Sequence, residues 1–271
     1  MKIGLIGAEN SHAEHFGQVI NRDKKHPGFM ITHVYGGDSP PICAKLCAEY
    51  ALTECASEEE VIASCDALVV TYRKGSLHYE PVMQALQAGK PVFNDKPFAT
   101  DVSQAQKIVD CAQKNNVLLY GGSSVKDLSG LSAVSQKISP DSTVVISFSA
   151  NPESEYDGFW FYGIHSVELC IKLLGLNFKS VSAFRTGNNV VSAINYGKRR
   201  AVIVNTPDAS ALDVSIQSGD ESETINVPMN YQSVCPDEFI KMLKTQKAPY
   251  DYAFYVESVR LMGMIIESAG L

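Results

Sequence analysis

The first half of the chain alternates short apolar runs with helical segments, and this alternation limits the fold more than any other feature. Strands are predicted at Lys2–Ile6, Phe29–Tyr35, Ala67–Thr71, Pro91–Asn94 and Val117–Tyr120. Helices are predicted at Ala13–Asn21, Pro41–Tyr50, Glu58–Ser64, Tyr79–Ala88 and Asp101–Asn115. Strands that alternate with helices in this way indicate βαβ units, so we expect an α/β fold with a Rossmann-like, doubly wound parallel sheet.

The second half has a different pattern, with successive strands separated by short turns. Strands are predicted at Thr143–Ala150, Lys179–Arg185, Asn189–Tyr196, Arg200–Asn205, Leu212–Gln217 and Thr224–Val227. Helices are predicted at Ile164–Leu174, Pro236–Thr245 and Tyr252–Ala269. This order is typical of an α+β domain with an open, mostly antiparallel sheet. We therefore expect domains at 1–122 and 123–271, with the last helix able to pack back on the first domain.

Composition narrows the class of protein. The net charge of −7, without a basic stripe, argues against a nucleic-acid partner. No apolar run approaches the roughly 18 residues of a membrane span, and the chain opens directly on a strand, so neither a membrane segment nor a signal peptide is predicted. Cys43 and Cys47 lie one helical turn apart without a further His or Cys at ligand spacing. We expect seven reduced thiols, no metal site and a cytoplasmic protein.

Lys96 is the leading candidate for chemistry. It stands between Asp95 and Pro97, directly after the strand that ends at Asn94. Proline stiffens this segment, and the carboxyl ends of parallel strands line the ligand crevice of an open α/β sheet. A lysine held there suits proton transfer or anion binding. The alternative is a solvated surface lysine.

Three segments together resemble the Gfo/Idh/MocA oxidoreductases, the family of glucose–fructose oxidoreductase and inositol dehydrogenase. They are the strand and loop from Val69 to His78, the stretch 90–97 (KPVFNDKP) and the stretch 161–168 (FYGIHSVE). The resemblance covers essentially the whole N-terminal half. It implies a Rossmann domain followed by a domain with a large open sheet, hydride transfer between NAD or NADP and a sugar or cyclitol, and association through that sheet.

The resemblance also implies roles for particular residues. Lys96 falls on the family's catalytic lysine and His165 on its catalytic histidine, and both are expected to face one pocket. A histidine suits uptake of a hydroxyl proton, and an ammonium suits a developing alkoxide. The alternative for His165 is a helix residue satisfied by the backbone. Tyr162, in an aromatic cluster beside His165, is a candidate for substrate binding, whereas Phe159 and Phe161 are expected in the core.

Cofactor-binding residues are predicted in the loops that follow the strands. They are Gly7, Glu9, Asn10, Ser11, His12, Asp38, Thr71, Tyr72, Arg73, His78 and Asp95. Asp38 is either the ribose-binding acid or a turn aspartate before Ser39. The cationic loop that contains Arg73 either lies along the ligand or is solvated.

Two departures from the family pattern favour a different function. Glu9 and His12 replace the second and third glycines of the dinucleotide fingerprint, and a carboxylate about 4 Å from a phosphate costs about 4 kcal/mol at an effective dielectric of ~20. Phe161 stands where the family has the histidine's aspartate, unless Glu168 or Glu14 supplies a carboxylate. The leading prediction is an NAD(P)-dependent oxidoreductase of a small polyol or sugar. The alternative is a non-catalytic ligand-binding or scaffold relative.

The sheet of the second domain is also a predicted association surface. Val190–Ile194 and Ala201–Val204 are apolar beyond simple alternation. A sheet with helices on one face only leaves its other apolar face in need of cover. The expected partners are a small-molecule substrate and further copies of the chain, in a homodimer or larger assembly.

Overall fold

The chain divides into two compact units, and the computed structural model describes all 271 residues. The first unit comprises Met1–Ala99, Ser103–Gly122 and Gln232–Tyr252. The second comprises Thr100–Val102, Ser123–Tyr231 and Ala253–Leu271. The long segments Met1–Ala99 and Ser123–Tyr231 make up most of the two units, and each unit is completed by a helix from the C-terminal part of the chain.

A six-stranded parallel sheet forms the centre of the first unit. Its strands are β1 (Lys2–Ile6), β2 (Met30–Tyr35), β3 (Thr53–Glu54), β4 (Ala67–Val70), β5 (Val92–Asn94) and β6 (Leu119–Gly121). Their order in the sheet is β3-β2-β1-β4-β5-β6, the doubly wound order of a Rossmann fold. The last four residues of β1 and all of β4 are buried, because helices cover both faces of such a sheet.

The helices of this unit follow the predicted alternation. They are α1 (Ser11–Gly17), α2 (Pro40–Tyr50), α3 (Glu58–Ser64), α4 (Tyr79–Gln87), α5 (Val102–Lys114, whose first residue is assigned to the second unit) and, from the C-terminal part of the chain, α8 (Val234–Thr245). A π-helical turn, Gln18–Arg22, extends α1. Phe16, Phe93 and Phe239 pack together in the core, so α8 completes the sheet's cover.

The second unit contains the other six-stranded sheet. Its strands are β7 (Thr143–Ser149), β8 (Ser180–Thr186), β9 (Asn189–Tyr196), β10 (Arg199–Thr206), β11 (Asp213–Ser218) and β12 (Glu221–Asn226). Their order is β12-β11-β7-β10-β9-β8, and only the β7–β10 pair is parallel. The helices of this unit are α6 (Leu131–Ser135), α7 (Trp160–Leu174) and α9 (Ala253–Ala269). Helices α7 and α9 pack on each other and on this sheet.

The predicted fold class is confirmed, and several details differ. The last helix, α9, packs within the second unit, whereas α8 belongs to the first. Helix α7 begins at Trp160 rather than at Ile164, because burial of Phe161 brings the aromatic run into the helix. The two-residue strand β3 and the single turn of α6 escaped prediction, since neither is long enough to display a period.

Candidate active-site residues

Lys96 lies at the carboxyl end of β5 and is almost completely buried. Asn94, Asp95 and Lys96 are 0%, 0% and 4% exposed, so this is not a solvated surface lysine. The side-chain amide of Asn94 donates to the carbonyl of Phe98 at 2.8 Å, which fixes the segment around Pro97. The sequence therefore holds the lysine on a short, internally bonded segment.

Asp95 ties this segment to α1. One carboxylate oxygen accepts from Nδ2 of Asn10 at 2.8 Å, and the other contacts Nδ1 of His12 at 2.8 Å. Asn10 also caps α1 by accepting from the backbone N–H of His12. Burial opposes ionisation of Asp95, but His12 and Lys96 outweigh it and lower its pKa. Three predicted cofactor residues thus form one cluster that positions Lys96.

The protonation of Lys96 reflects competing forces. Burial lowers the pKa of its ammonium to about 8; the neighbouring Asp95 opposes this change, and the Arg73 guanidinium adds to it. An amine with a pKa near neutrality exchanges protons readily, and its charged form is a strong donor in a dry site. Lys96 is thus suited to stabilise an oxyanion.

The loop after β1 retains the first glycine of the fingerprint for a visible steric reason. Gly7 has φ +93°, and a Cβ there would lie 2.7 Å from the backbone nitrogen of Tyr72. Oγ1 of Thr71 donates to the Gly7 carbonyl at 2.8 Å. Glu9, at the second glycine position, lies 3.7 Å from the Arg73 guanidinium. Arg73 therefore offsets part of the negative charge that Glu9 brings to the loop.

Asp38 lies directly against this loop. Its carboxylate accepts from the backbone N–H of Ala8 at 2.9 Å and from that of Glu9 at 3.0 Å. The acid that follows β2 therefore reaches the loop that follows β1, although two glycines separate it from its strand. This is the place that a ribose-binding acid occupies in a Rossmann fold.

The remaining predicted cofactor residues differ in accessibility. Ser11 is exposed at the first turn of α1. Tyr72 is buried, and its hydroxyl donates to Glu58 at 2.5 Å. His78 is fully buried, with its ring nitrogens 2.8 Å from the carbonyls of Pro97 and Tyr72. Burial lowers the pKa of His78. Tyr72 and His78 thus stabilise the loops after β4 and β5 from the protein interior.

His165 lies in the second unit, near the start of α7, and is 6% exposed. Its Nδ1 is 2.6 Å from Oγ of Ser123, which follows β6. The same Oγ accepts from the backbone N–H of Val125 at 3.0 Å, so one lone pair and the hydroxyl proton are left for the imidazole. Ser123 can therefore donate to Nδ1 or accept from it, and it serves either tautomer of His165.

A buried ion pair between Glu168 and Lys126 contacts the backbone of Ser123. Glu168 accepts from the backbone N–H of Ser123 at 2.9 Å and lies 3.3 Å from Nζ of Lys126, which donates to the Ser123 carbonyl at 2.8 Å. Burial raises the pKa of Glu168, and Lys126 opposes that change. Of the two carboxylates considered for His165, Glu168 contacts Ser123, the serine that contacts the imidazole. Glu14 pairs with Lys45. Ser123 and Lys126 escaped prediction, and their one sequence signal was a polar segment directly after a strand.

An open cleft of the second unit is lined in part by Tyr162, whose ring packs beside His165. Its volume is about 480 Å³, and its lining combines three aromatic side chains with two carboxylates: Ser149, Asn151, Glu153, Ser154, Glu155, Tyr156, Phe161 and Tyr162. Tyr162 is 40% exposed, and its ring centroid is 5.2 Å from that of His165. Phe161 and Phe159 are buried, as expected, although Phe161 also lines the cleft. Aromatic faces beside carboxylates suit a polyhydroxylated ring.

The first unit therefore has the fold of a dinucleotide-binding domain and keeps the first glycine of its loop, and known proteins match the same region. Residues 1–123 match the GFO_IDH_MocA model, described as an oxidoreductase family with an NAD-binding Rossmann fold. Over this region, which is somewhat less than half of the chain, the predicted resemblance to the Gfo/Idh/MocA oxidoreductase family is confirmed.

Curated relatives match the same region. An uncharacterized oxidoreductase of Streptococcus pneumoniae is 32% identical over 125 residues, which are 45% of this chain and 32% of the relative. An inositol 2-dehydrogenase of Cereibacter sphaeroides is 34% identical over 118 residues, 42% of this chain and 33% of that enzyme. The chain thus spans about a third of the length of the curated relatives it matches.

Solved structures share the fold over the whole chain. GenD2 from gentamicin A biosynthesis, solved with NAD, has a TM-score of 0.84 at 14% identity and covers 100% of this chain and 94% of its own. Biliverdin reductase from Synechocystis, solved with biliverdin and NADP+, has a TM-score of 0.76 at 15% identity, with coverages of 100% and 99%. Both dinucleotides therefore occur among proteins of this fold.

None of the helices in this chain is long and apolar enough to cross a membrane.

Proposed function

We propose that this protein is an NAD(P)-dependent oxidoreductase that interconverts a secondary alcohol and a ketone on a small polyol, sugar or sugar derivative. The observation that carries the proposal is Lys96, a buried ammonium next to the carboxylate of Asp95 at the carboxyl end of a parallel strand. Burying a lysine costs free energy, so its retention at a ligand-binding edge favours a chemical role over a structural one.

The residues of the first unit fit a dinucleotide. Gly7 gives the tight turn, Asp38 suits ribose hydroxyls and Arg73 offsets the charge of Glu9. When bound, the nicotinamide supplies the hydride acceptor or donor. The carboxylate of Asp38 disfavours the 2′-phosphate of NADP. The residues as a set do not discriminate strongly between NAD and NADP.

In the oxidation direction, the imidazole of His165 takes the hydroxyl proton through Nε2, because Nδ1 faces Ser123. The ammonium of Lys96 stabilises the alkoxide that develops as hydride leaves the carbon. Reduction reverses these steps, with His165 returning the proton to the oxygen. The cleft beside Tyr162 supports a polyhydroxylated substrate, since its aromatic rings suit C–H faces and its carboxylates suit hydroxyl groups.

A second candidate function is a non-catalytic ligand-binding or scaffold relative. The observation that favours it is the state of the loop after β1. Glu9 stands at the second glycine position, and Asn10 and His12 are engaged with Asp95. A protein of this kind would keep the pocket and bind nicotinamide dinucleotides poorly.

Titration with NADH and NADPH, followed by fluorescence, separates the two functions. An assay with polyols, aldoses and sugar acids then seeks turnover. We expect binding and turnover in the wild type, and losses in kcat of roughly 100-fold or more in Lys96→Met and His165→Ala. Lys107→Met, which removes an exposed lysine of α5, is the matched control. Full activity in both active-site variants would refute the assignment, and failure to bind either nucleotide would favour the second function.

Assembly and location follow from the same reasoning. We infer a homodimer or larger assembly formed through the outer face of the second sheet. Its central strands carry valine side chains on the face opposite α7 and α9. We also infer a cytoplasmic location, because the seven cysteines are free thiols, as in a reducing compartment.

A further inference from the structure

Two cysteines of the first unit lie on one face of α2. Cys43 and Cys47 are four residues apart, so their side chains are neighbours on the helix surface. Cys43 is buried and Cys47 is half-buried. A pair of thiols at this spacing supplies two of the ligands of a metal site, and no further His or Cys lies at ligand spacing in the sequence around it.

The fold supplies a third ligand from another element. Strand β3 pairs with β2, with Glu54 opposite Val34, at the edge of the sheet beside α2. This pairing brings the carboxylate of Glu54 to the two thiols. Sγ of Cys43, Sγ of Cys47 and a carboxylate oxygen of Glu54 all lie within 4.8 Å of one another.

We propose that Cys43, Cys47 and Glu54 bind a thiophilic divalent cation, of which Zn²⁺ is the typical example. Zinc takes thiolate sulfur at about 2.3 Å and carboxylate oxygen at about 2.0–2.2 Å in a tetrahedron, so its ligand atoms lie roughly 3.5–3.8 Å apart. Binding therefore requires the three side chains to draw together from separations of up to 4.8 Å. Water completes the tetrahedron.

A cation can reach the cluster from solvent, and one of the three ligands, Cys43, is fixed in the core. Glu54 is exposed and Cys47 is half-buried, so a cation reaches them from solvent. Cys43 packs in the core against the turn after β2, where a Cβ on Gly36 would lie 2.7 Å from its sulfur. The cluster shares no residue with the groups that contact Asp95 or His165, and it does not depend on the proposed enzymatic function.

The test uses the full chain without nucleotide or substrate. The protein is reduced, stripped with a chelator, and shown by a thiol assay to contain its seven free thiols. Zn²⁺ is then titrated by calorimetry, and Cd²⁺ by the ultraviolet charge-transfer band of its thiolate bonds. We expect one equivalent of metal, and a loss in affinity of at least about tenfold in Cys47→Ser and in Glu54→Gln.

Controls separate the site from adventitious thiol binding. Cys111→Ser removes another half-buried cysteine, on α5, and should leave the affinity unchanged. Cys47 and Glu54 are preferred to the core residue Cys43, because Cys47 is half-buried and Glu54 is exposed, so we expect their variants to fold. Circular dichroism checks that expectation. The proposal is overturned if the reduced wild type gives no Cd²⁺ band, or if the band survives in Cys47→Ser and disappears in Cys111→Ser.

Discussion

At the scale of single residues, the chemistry depends on charges held where water is scarce. Burial of Lys96 lowers the pKa of its ammonium from 10.5 to about 8, even though Asp95 is its neighbour. The Arg73 guanidinium pushes the pKa in the same direction as burial. Arg73 also lies near Glu9, so this one side chain affects both the lysine and the loop after β1.

The pH dependence of activity follows from that pKa. The ammonium is the form that stabilises an alkoxide, and deprotonation removes it as pH rises. We expect kcat/KM to fall by about tenfold per pH unit above about 8, rather than above the ordinary 10.5. In Lys96→Arg any remaining activity should lack this decline, because a guanidinium stays charged. A rate that rises through pH 8 would contradict this and assign the neutral amine as a base.

Repulsion between the carboxylate of Glu9 and the phosphates of the cofactor is expected to limit cofactor affinity. We expect Glu9→Gly to tighten NADH binding by about tenfold, or about 1.4 kcal/mol. This is less than the cost of an unpaired carboxylate, because Arg73 already offsets part of the charge. Glu9→Gln keeps the bulk and removes the charge, so comparison of the two variants separates sterics from electrostatics. Tight binding by the wild type, unchanged in both variants, would show that Glu9 turns away from the cofactor.

At the scale of elements, strand ends and helix starts place the reactive groups. The end of β5 carries Lys96, and its neighbour Asp95 is bound to the cap of α1. The end of β6 leads to Ser123, which contacts His165 on α7. Each functional side chain therefore lies on one element and is oriented by a second.

Ser123 is the positioning residue whose contribution can be measured. We expect Ser123→Ala to lower kcat by roughly tenfold with little change in KM, because the imidazole loses the hydroxyl that fixes its orientation. The variant also loses the contact to the Val125 N–H, at a cost of about 1 kcal/mol in the free energy of unfolding. Ser124→Ala removes an adjacent buried hydroxyl and serves as the control. An equal loss of activity in both serine variants would indicate general loosening of the loop.

At the scale of the whole molecule, the second sheet has two unlike faces. Helices α7 and α9 cover one face. On the other, cross-strand register aligns Phe184 with Val191 and Val204, and Val202 lies opposite Val145. Phe184 is 58% exposed, unusually high for a phenylalanine. An apolar face of this kind is suited to a second sheet.

The assembly prediction is tested by placing a charge on that face. We expect the wild type to be a dimer or larger by light scattering at micromolar concentration. Val202→Glu should dissociate it, because a carboxylate buried between two sheets has no partner. Lys198→Glu, in the exposed turn between β9 and β10, should leave the mass unchanged. A monomeric mass for the wild type would count against the sheet as an association surface.

The sequence by itself determined the two kinds of sheet, the family and the position of Lys96 after a strand. These follow from local periodicity and short motifs, which need no knowledge of distant contacts. Only the tertiary structure decided that Asp38 meets the loop after β1, that Ser123 and Glu168 stand behind His165, and that Glu54 joins Cys43 and Cys47. Those contacts depend on strand register and on how helices pack over the sheets. Residues far apart in the chain meet there without a pattern that links them in the sequence.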